Sequence, residues 1–421
     1  MVGKDKPSFH GLHHVNAITF LLIGIIIATS ISFVFPIVLN QNHTAMAQQQ
    51  MQQQPQQPQQ QMQANQTFSP SAEEEQQLLE GVSFQLDDVT FTHHMASVNG
   101  IQMHYVMGGQ GDPLVLLHGW PETWYAWHKV MPALAQNYTI IAPDLRGLGD
   151  SSKPPTGYDG KTVAEDIHQL VTQLGFNTIF LVGHDIGTWV AYPYAAEHPT
   201  EVEKLVIMEV PPPGFWPPPV PLPWWFSFHQ TPDVPESLVQ GKEVEYLSWF
   251  YYNLAYNPSA ITQDAINEYV SRYSAPGGMR AGFEYYRAFP EDAMQNQNYS
   301  QTNLTMPVLA LGAGDIPAFG GMSNPTALLG MQQSAENVTG IIVPDSGHFI
   351  AEEQPQFVIN QLSNFFGNTT TPEEPPLTDT TTTTTNATTA ADTNATAAPE
   401  EGGGEQQQQQ TTPTIPVPLL E

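Results

Sequence analysis

At 421 residues the chain is long enough for two domains, or for one large domain with appendages. Its 41 acidic residues against 11 basic ones give a formal net charge of −30, which repels phosphate backbones and excludes nucleic acid as a natural partner. The sequence has no cysteine, which excludes disulfide staples, thiolate nucleophiles and Cys-based zinc sites, so stability must rest on a sizeable core.

The first predicted element is an uncharged apolar run, "AITFLLIGIIIATSISFVFPIVL" over 17–39, preceded by Lys4 and Lys6. Its length is near the ~20 residues that cross a bilayer as a helix. Residues 1–40 are therefore expected to be a cytoplasmic stub with a signal anchor, or a cleaved signal peptide ending near Ala45-Met46-Ala47. Either reading exports the rest of the chain, tied to the membrane through this segment if it is uncleaved, or secreted. Residues 41–80, Gln-rich and made only of Gln, Met and Pro over 48–63, read as a disordered tether. Residues 368–421 read as a Thr/Asn-rich acidic disordered tail, and sequons such as Asn386 and Asn394 there fit a glycosylated surface protein.

One folded domain is expected over 81–367. "IQMHYVM" (101–107) alternates like a strand. "PLVLLHG" (113–119), "YTIIAPD" (138–144), "TIFLVGHD" (178–185), "KLVIMEV" (204–210), "PVLALGAG" (307–314) and "GIIVPDSGH" (340–348) are continuous apolar runs. Such runs suit strands buried on both faces of a parallel sheet. Helical spacing falls between them at 162–175 and 187–199, so the fold class is α/β, a mostly parallel wound sheet. Residues 211–300 break this rhythm with "PPPGFWPPPVPLPWWFSFH" and aromatic helical patterns. They read as a helical cap over the carboxyl edge of the sheet, where ligands of wound α/β proteins bind.

The chemistry centres on "LVGHDIGT" (181–188). Gly183 and Gly187 flank Asp185 in the strand–turn–helix pattern of a nucleophile elbow. The competing reading is an aspartate that caps the following helix. "HGWP" (118–121) follows a buried-type strand, so the backbone N–H groups of Trp120 and Ile186 would face a developing oxyanion. "DSGHF" (345–349) sets His348 just past the last strand, giving the order nucleophile, acid, histidine. His93, His94 and the other histidines show no metal-ligand spacing and no glycine-rich cofactor loop is present, so neither a metal nor a cofactor is expected.

These motifs, with "PDLRGLGDSSKP" (143–154), resemble those of the α/β-hydrolase superfamily and, within it, the epoxide hydrolase and dehalogenase branch, over about residues 85–367. The resemblance implies the α/β-hydrolase fold, with the cap inserted after the sixth strand. It also implies a two-step reaction: the Asp185 carboxylate attacks an electrophilic carbon, and water activated by His348 hydrolyses the resulting ester. For the acid that orients His348 there are two candidates, Asp315 in "LGAGD" first and Glu209 in "VIMEV" second. "FEYYRAF" (283–289) points to Tyr286 as one of two cap tyrosines that would hold an epoxide oxygen. The other position falls at Trp224, with Tyr246 or Tyr251 as substitutes. His118, Trp189, Trp224, Trp225 and Phe226 are expected along the substrate pocket. The arginines that would grip an anionic haloacid are missing, since those positions read Ile186 and Trp189. The implied substrate is thus small, neutral and hydrophobic. A haloalkane or haloacid dehalogenase is the alternative enzyme, and a non-catalytic surface binding module the alternative of another class.

Overall fold

The computed structural model describes residues 79–367, except Pro219 and Met322. The segment expected over 1–40, the tether over 41–80 apart from its last two residues, and the tail over 368–421 lie outside them.

Among the described residues nine strands form one sheet: β1 (Ser83–Leu86), β2 (Val89–Val98), β3 (Ile101–Gly109), β4 (Asp112–Leu117), β5 (Tyr138–Pro143), β6 (Ile179–His184), β7 (Val202–Met208), β8 (Val308–Ala313) and β9 (Val338–Val343). Their spatial order is β1-β2-β3-β5-β4-β6-β7-β8-β9. The pairs β1/β2, β2/β3 and β3/β5 are antiparallel and the others parallel. Every residue of β5, β6 and β8 is buried, which is why these strands read as unbroken apolar runs. One core lies on each face of the sheet. Val115, Leu181 and Ile207 point to one face, and Leu114, Val182 and Val206 to the other, as the alternation of strand side chains requires.

Among the helices of six or more residues, α1 (Gly160–Gln173) and α2 (Ile186–Glu197) pack on the first face. The side chain of Asp159 caps α1 by accepting from the Thr162 amide at 3.1 Å. The cap comprises α3 (Trp224–Gln230), α4 (Val234–Val239), α5 (Glu243–Leu254), α6 (Gln263–Ser274) and α7 (Gly278–Tyr299). After it come α8 (Thr326–Met331) and α9 (Pro355–Phe366). The cap leaves the sheet after β7, the seventh strand in chain order rather than the sixth, because β1 and β2 precede the five strands read from the sequence ahead of the cap. Its aromatic face meets the carboxyl ends of β4, β6 and β7 through contacts such as Trp120 with Phe250 and with Tyr286, at ring-centroid distances of 4.7 and 5.6 Å.

Candidate active site

The turn from β6 into α2 places Asp185 at φ 49°, ψ −121°, a left-handed conformation that a non-glycine residue adopts only under strain. The flanking glycines make that turn possible by close approach. A Cβ on Gly183 would lie 2.5 Å from the Gly187 carbonyl oxygen, and one on Gly187 would lie 2.4 Å from that of Leu117. Although Asp185 stands at the N-cap position of α2, its side chain makes no capping hydrogen bond. Instead Oδ2 accepts the Trp120 backbone N–H at 2.8 Å, and the Ile186 N–H also hydrogen-bonds the carboxylate. The two amides expected to form an oxyanion hole thus grip the Asp185 carboxylate itself.

His348 lies beyond β9, with Nε2 4.0 Å from Asp185 Oδ1. Its Nδ1 lies 2.6 Å from Glu209 Oε2. Glu209 follows β7 directly, at φ 74°, a turn that aims its buried side chain back across the sheet edge. Asn324 donates to both the carboxylate and the backbone carbonyl of Glu209, and the Thr326 hydroxyl donates to the same carbonyl at 3.2 Å. Nothing in the sequence pattern singles out either partner. Asp315, the first choice for the orienting acid, does not reach the histidine. It sits in the turn after β8, its amide bonded to the Ser346 carbonyl at 2.8 Å, and its carboxylate faces Gly321.

Electrostatics bind the three groups together. Burial raises the Asp185 pKa above its ordinary value, opposed by His348, His184 and the two amides. Burial would also favour the neutral acid at Glu209, but His348 and Asn324 outweigh it and hold the carboxyl below its usual range. At His348 burial favours the neutral ring, yet Glu209, followed by Asp185 and Glu122, pushes the pKa up to about 9. At neutral pH His348 is thus an imidazolium paired with the Glu209 carboxylate.

Behind it lies a second buried acid–histidine pair that the sequence reading did not single out, although His184 belongs to "LVGHDIGT" and Glu122 directly follows "HGWP". His184, which precedes the nucleophile, has Nδ1 3.0 Å from Glu122 Oε2 and Nε2 2.8 Å from the His348 carbonyl oxygen. The pair braces the backbone that carries His348. Burial opposes the charge on each member, but their mutual attraction lowers the Glu122 pKa and raises that of His184.

A cavity of about 460 Å³ opens above Asp185, lined by Glu209, His348 and a largely apolar wall that includes Trp120, Trp216, Leu222, Trp225, Phe226, Phe250, Tyr286 and Phe319. No lysine or arginine lines it among the described residues. Tyr286 sits on this wall. Burial pushes its phenol well above the ordinary value, and hydrogen bonding from Trp225 works against that rise. The neighbouring Trp224 does not join it: its side chain is 53% exposed and packs on Trp249, at 5.4 Å between centroids. On a helix, adjacent residues point about 100° apart, so only one of the two indoles can face inward. Tyr246 and Tyr251 are engaged elsewhere, the first with His229 Nε2 at 2.5 Å and the second donating to the Pro121 carbonyl at 2.6 Å. His118 and Trp189 are also removed from the lining. His118 is fully buried, accepting the Leu145 N–H at 3.1 Å and lying 2.8 Å from the Gly119 carbonyl, so it ties two loops together. Trp189 forms a layer behind Tyr286 and Phe226, at 5.6 and 6.0 Å between centroids.

Comparison with known proteins gives this site a context. Residues 112–355 match the family described as alpha/beta hydrolase fold. The soluble epoxide hydrolase of Corynebacterium sp. (strain C12) is 42% identical over 292 residues, covering 65% of this chain and 97% of the relative. Among solved structures, Cfl2 of Burkholderia cenocepacia is 41% identical with a TM-score of 0.61, covering 66% of this chain and 96% of its own. The epoxide hydrolase CorEH is 40% identical with a TM-score of 0.59, covering 66% and 98%. The first of these corrects the expectation of an extracytoplasmic protein, membrane-anchored or secreted, because this relative is named a soluble enzyme. Among the described residues no helix is long and apolar enough to cross a membrane, and the apolar run 17–39 lies outside them. With an elbow aspartate, a histidine held by a buried acid and a match that spans nearly the whole of its relatives, the chain belongs to the α/β-hydrolase fold family and, within it, to the epoxide hydrolase branch.

Proposed function

We propose that this protein hydrolyses a neutral, hydrophobic epoxide to its diol through an ester on Asp185. The observation that carries the reading is the pairing of Asp185 with His348 inside an apolar cavity, 4.0 Å apart and with two backbone N–H groups on the carboxylate. Oδ1 attacks a ring carbon, the C–O bond breaks, and the alkoxide that leaves takes the Tyr286 phenol proton. Trp225, a donor only, can hold the resulting phenolate but cannot protonate the alkoxide in its place. Ester formation removes the charge on Asp185, which lowers the His348 pKa. The imidazolium gives up its proton, which returns the Tyr286 phenolate to the phenol by way of solvent, and the neutral imidazole is left as a base. Water then loses a proton to Nε2 and attacks Cγ of the ester. The negative charge gathers on Oδ2, where the Trp120 and Ile186 amides already point. Collapse breaks the bond to the alkyl oxygen, which takes the proton of the incoming hydroxyl, and so frees the diol and restores the carboxylate.

The same cavity disfavours the dehalogenase reading. An anionic haloacid would find no lysine or arginine among the described lining residues, where the His348 charge is already paired with Glu209, and burying a carboxylate without a partner is prohibitive. Ile186 supplies no indole to a halide.

The test is diol formation from a panel of aryl and alkyl epoxides, with halide release from matched haloalkanes and haloacids assayed alongside. Diol production by the full chain, abolished in Asp185→Ala, is the expected result. Halide release without diol would transfer the site to carbon–halogen chemistry.

A further inference from the structure

A cluster remote from the cavity brings together three residues that no sequence motif connects. His168 lies on α1, His198 caps the carboxyl end of α2, and Glu201 stands just before β7. His168 Nδ1 is 3.1 Å from Glu201 Oε2, and His198 Nδ1 is 3.5 Å from Glu201 Oε1. The two imidazoles are stacked 3.8 Å apart with 5° between their planes. The Tyr194 hydroxyl donates to Glu201 Oε2 at 2.9 Å and so fixes the carboxylate from behind.

We propose that His168, His198 and Glu201 form a binding site for a divalent transition metal of zinc type. Zinc takes imidazole nitrogen and carboxylate oxygen at about 2.0–2.2 Å, so the edges of a tetrahedral site are about 3.3–3.6 Å long. The two nitrogen–oxygen separations, one to each oxygen of the Glu201 carboxylate, are already near that length, and one ligand atom from each of the three residues falls within 4.8 Å of the others. The remaining adjustment is a tilt of the stacked rings, which the solvent-facing position of side chains about one-quarter exposed permits. Two imidazoles with one carboxylate select zinc, copper or nickel over magnesium and calcium, which prefer all-oxygen sites. Tyr194 provides the outer hydrogen bond that orients a carboxylate ligand. The chain's net charge of −30 raises the local concentration of any cation.

A second His/Asp cluster lacks this freedom. The Asp144 carboxylate already takes the Trp124 and Asp150 amides at 2.9 Å each and lies 2.7 Å from His104 Nδ1, while His104 Nε2 faces His93 Nδ1 at 2.8 Å. At Glu201 the metal would join α1 and α2 to the start of β7, so its binding is expected to stabilise the fold without changing the chemistry at Asp185.

The test uses the full-length chain, stripped by a chelator and titrated calorimetrically with zinc chloride, beside His198→Asn and the His168→Asn/His198→Asn pair. His10, His13 and His14 are common to all three proteins, so the difference between titrations isolates this cluster. Wild type is expected to bind one zinc ion more than the double variant, or to bind one at least tenfold more tightly. Its Tm should rise with zinc while that of the double variant stays put. Cobalt should give the visible absorption of a tetrahedral site in wild type alone. His198→Asn, a single change at a half-buried helix end, gives the same answer if the double variant fails to fold. Identical stoichiometry and affinity in wild type and variants would overturn the proposal and leave a carboxylate that simply accepts two imidazole N–H groups.

Discussion

A His348→Gln variant is expected to open one equivalent of epoxide and then stop. Attack by Asp185 needs the carboxylate, the cavity and a proton donor at the alkoxide, none of which His348 supplies. Hydrolysis of the ester needs a base at water, and glutamine offers none. Steady-state turnover should therefore fall by about 10²–10⁴, the usual contribution of general-base catalysis. The burst of substrate consumption should survive. Mass spectrometry of the stalled protein should find the substrate's mass added to the peptide that carries Asp185. Uniform slowing with no burst and no adduct would remove His348 from the second step, since the two half-reactions would then not be separable at this residue.

Glu209→Gln should produce the second large effect, and Asp315→Asn almost none. Glu209 holds His348 through Nδ1 at 2.6 Å and is the first of the groups that lift its pKa to about 9. Removing the negative charge takes away the largest opposition to burial and leaves only Asp185 and Glu122 against it, so the pKa should fall. That fall alone would increase the neutral fraction of the base at pH 7. The predicted loss, about 10²–10⁴ in ester hydrolysis, comes instead from the lost orientation of the ring and the lost stabilisation of the imidazolium that forms as water gives up its proton. An NMR titration of the free protein should place His348 near 9 in wild type and clearly lower in Glu209→Gln. Stability carries the same signature. A histidine whose folded pKa is raised contributes fully below its ordinary value of 6.5 and loses that contribution as the pH rises through about 9. The wild-type stability curve should thus decline across this window, and that of Glu209→Gln should be flatter. An unshifted His348 in Glu209→Gln, with Asp315→Asn impaired instead, would reverse the assignment.

These two acids mark where the sequence stops being legible. The strands of the sheet interior could be read because β5, β6 and β8 are buried on both faces and so contain little but apolar residues. The elbow could be read because two glycines are forced by close backbone approach. In contrast β2, with "THH" at its centre and several half-buried positions, carries no such pattern. Glu209 and Asp315 both follow a buried strand, and spacing along the chain cannot separate them. The choice is made by a left-handed turn at Glu209 and by Asn324, which is 115 residues away in sequence. Trp224 and Trp225 are chemically identical neighbours, so only the rotation of α3 decides which indole enters the cavity. The cluster at Glu201 is of the same kind: His168 meets the other two residues only because α1 packs beside α2.

The most direct measurement of the central claim is a single turnover in H₂¹⁸O with enzyme in excess over epoxide. If Asp185 supplies the oxygen that enters the diol, the first diol released is unlabelled and one ¹⁸O appears in the Asp185 side chain. A first diol that carries ¹⁸O, with Asp185 unlabelled, would mean that water attacks the epoxide directly and that no ester forms on the elbow.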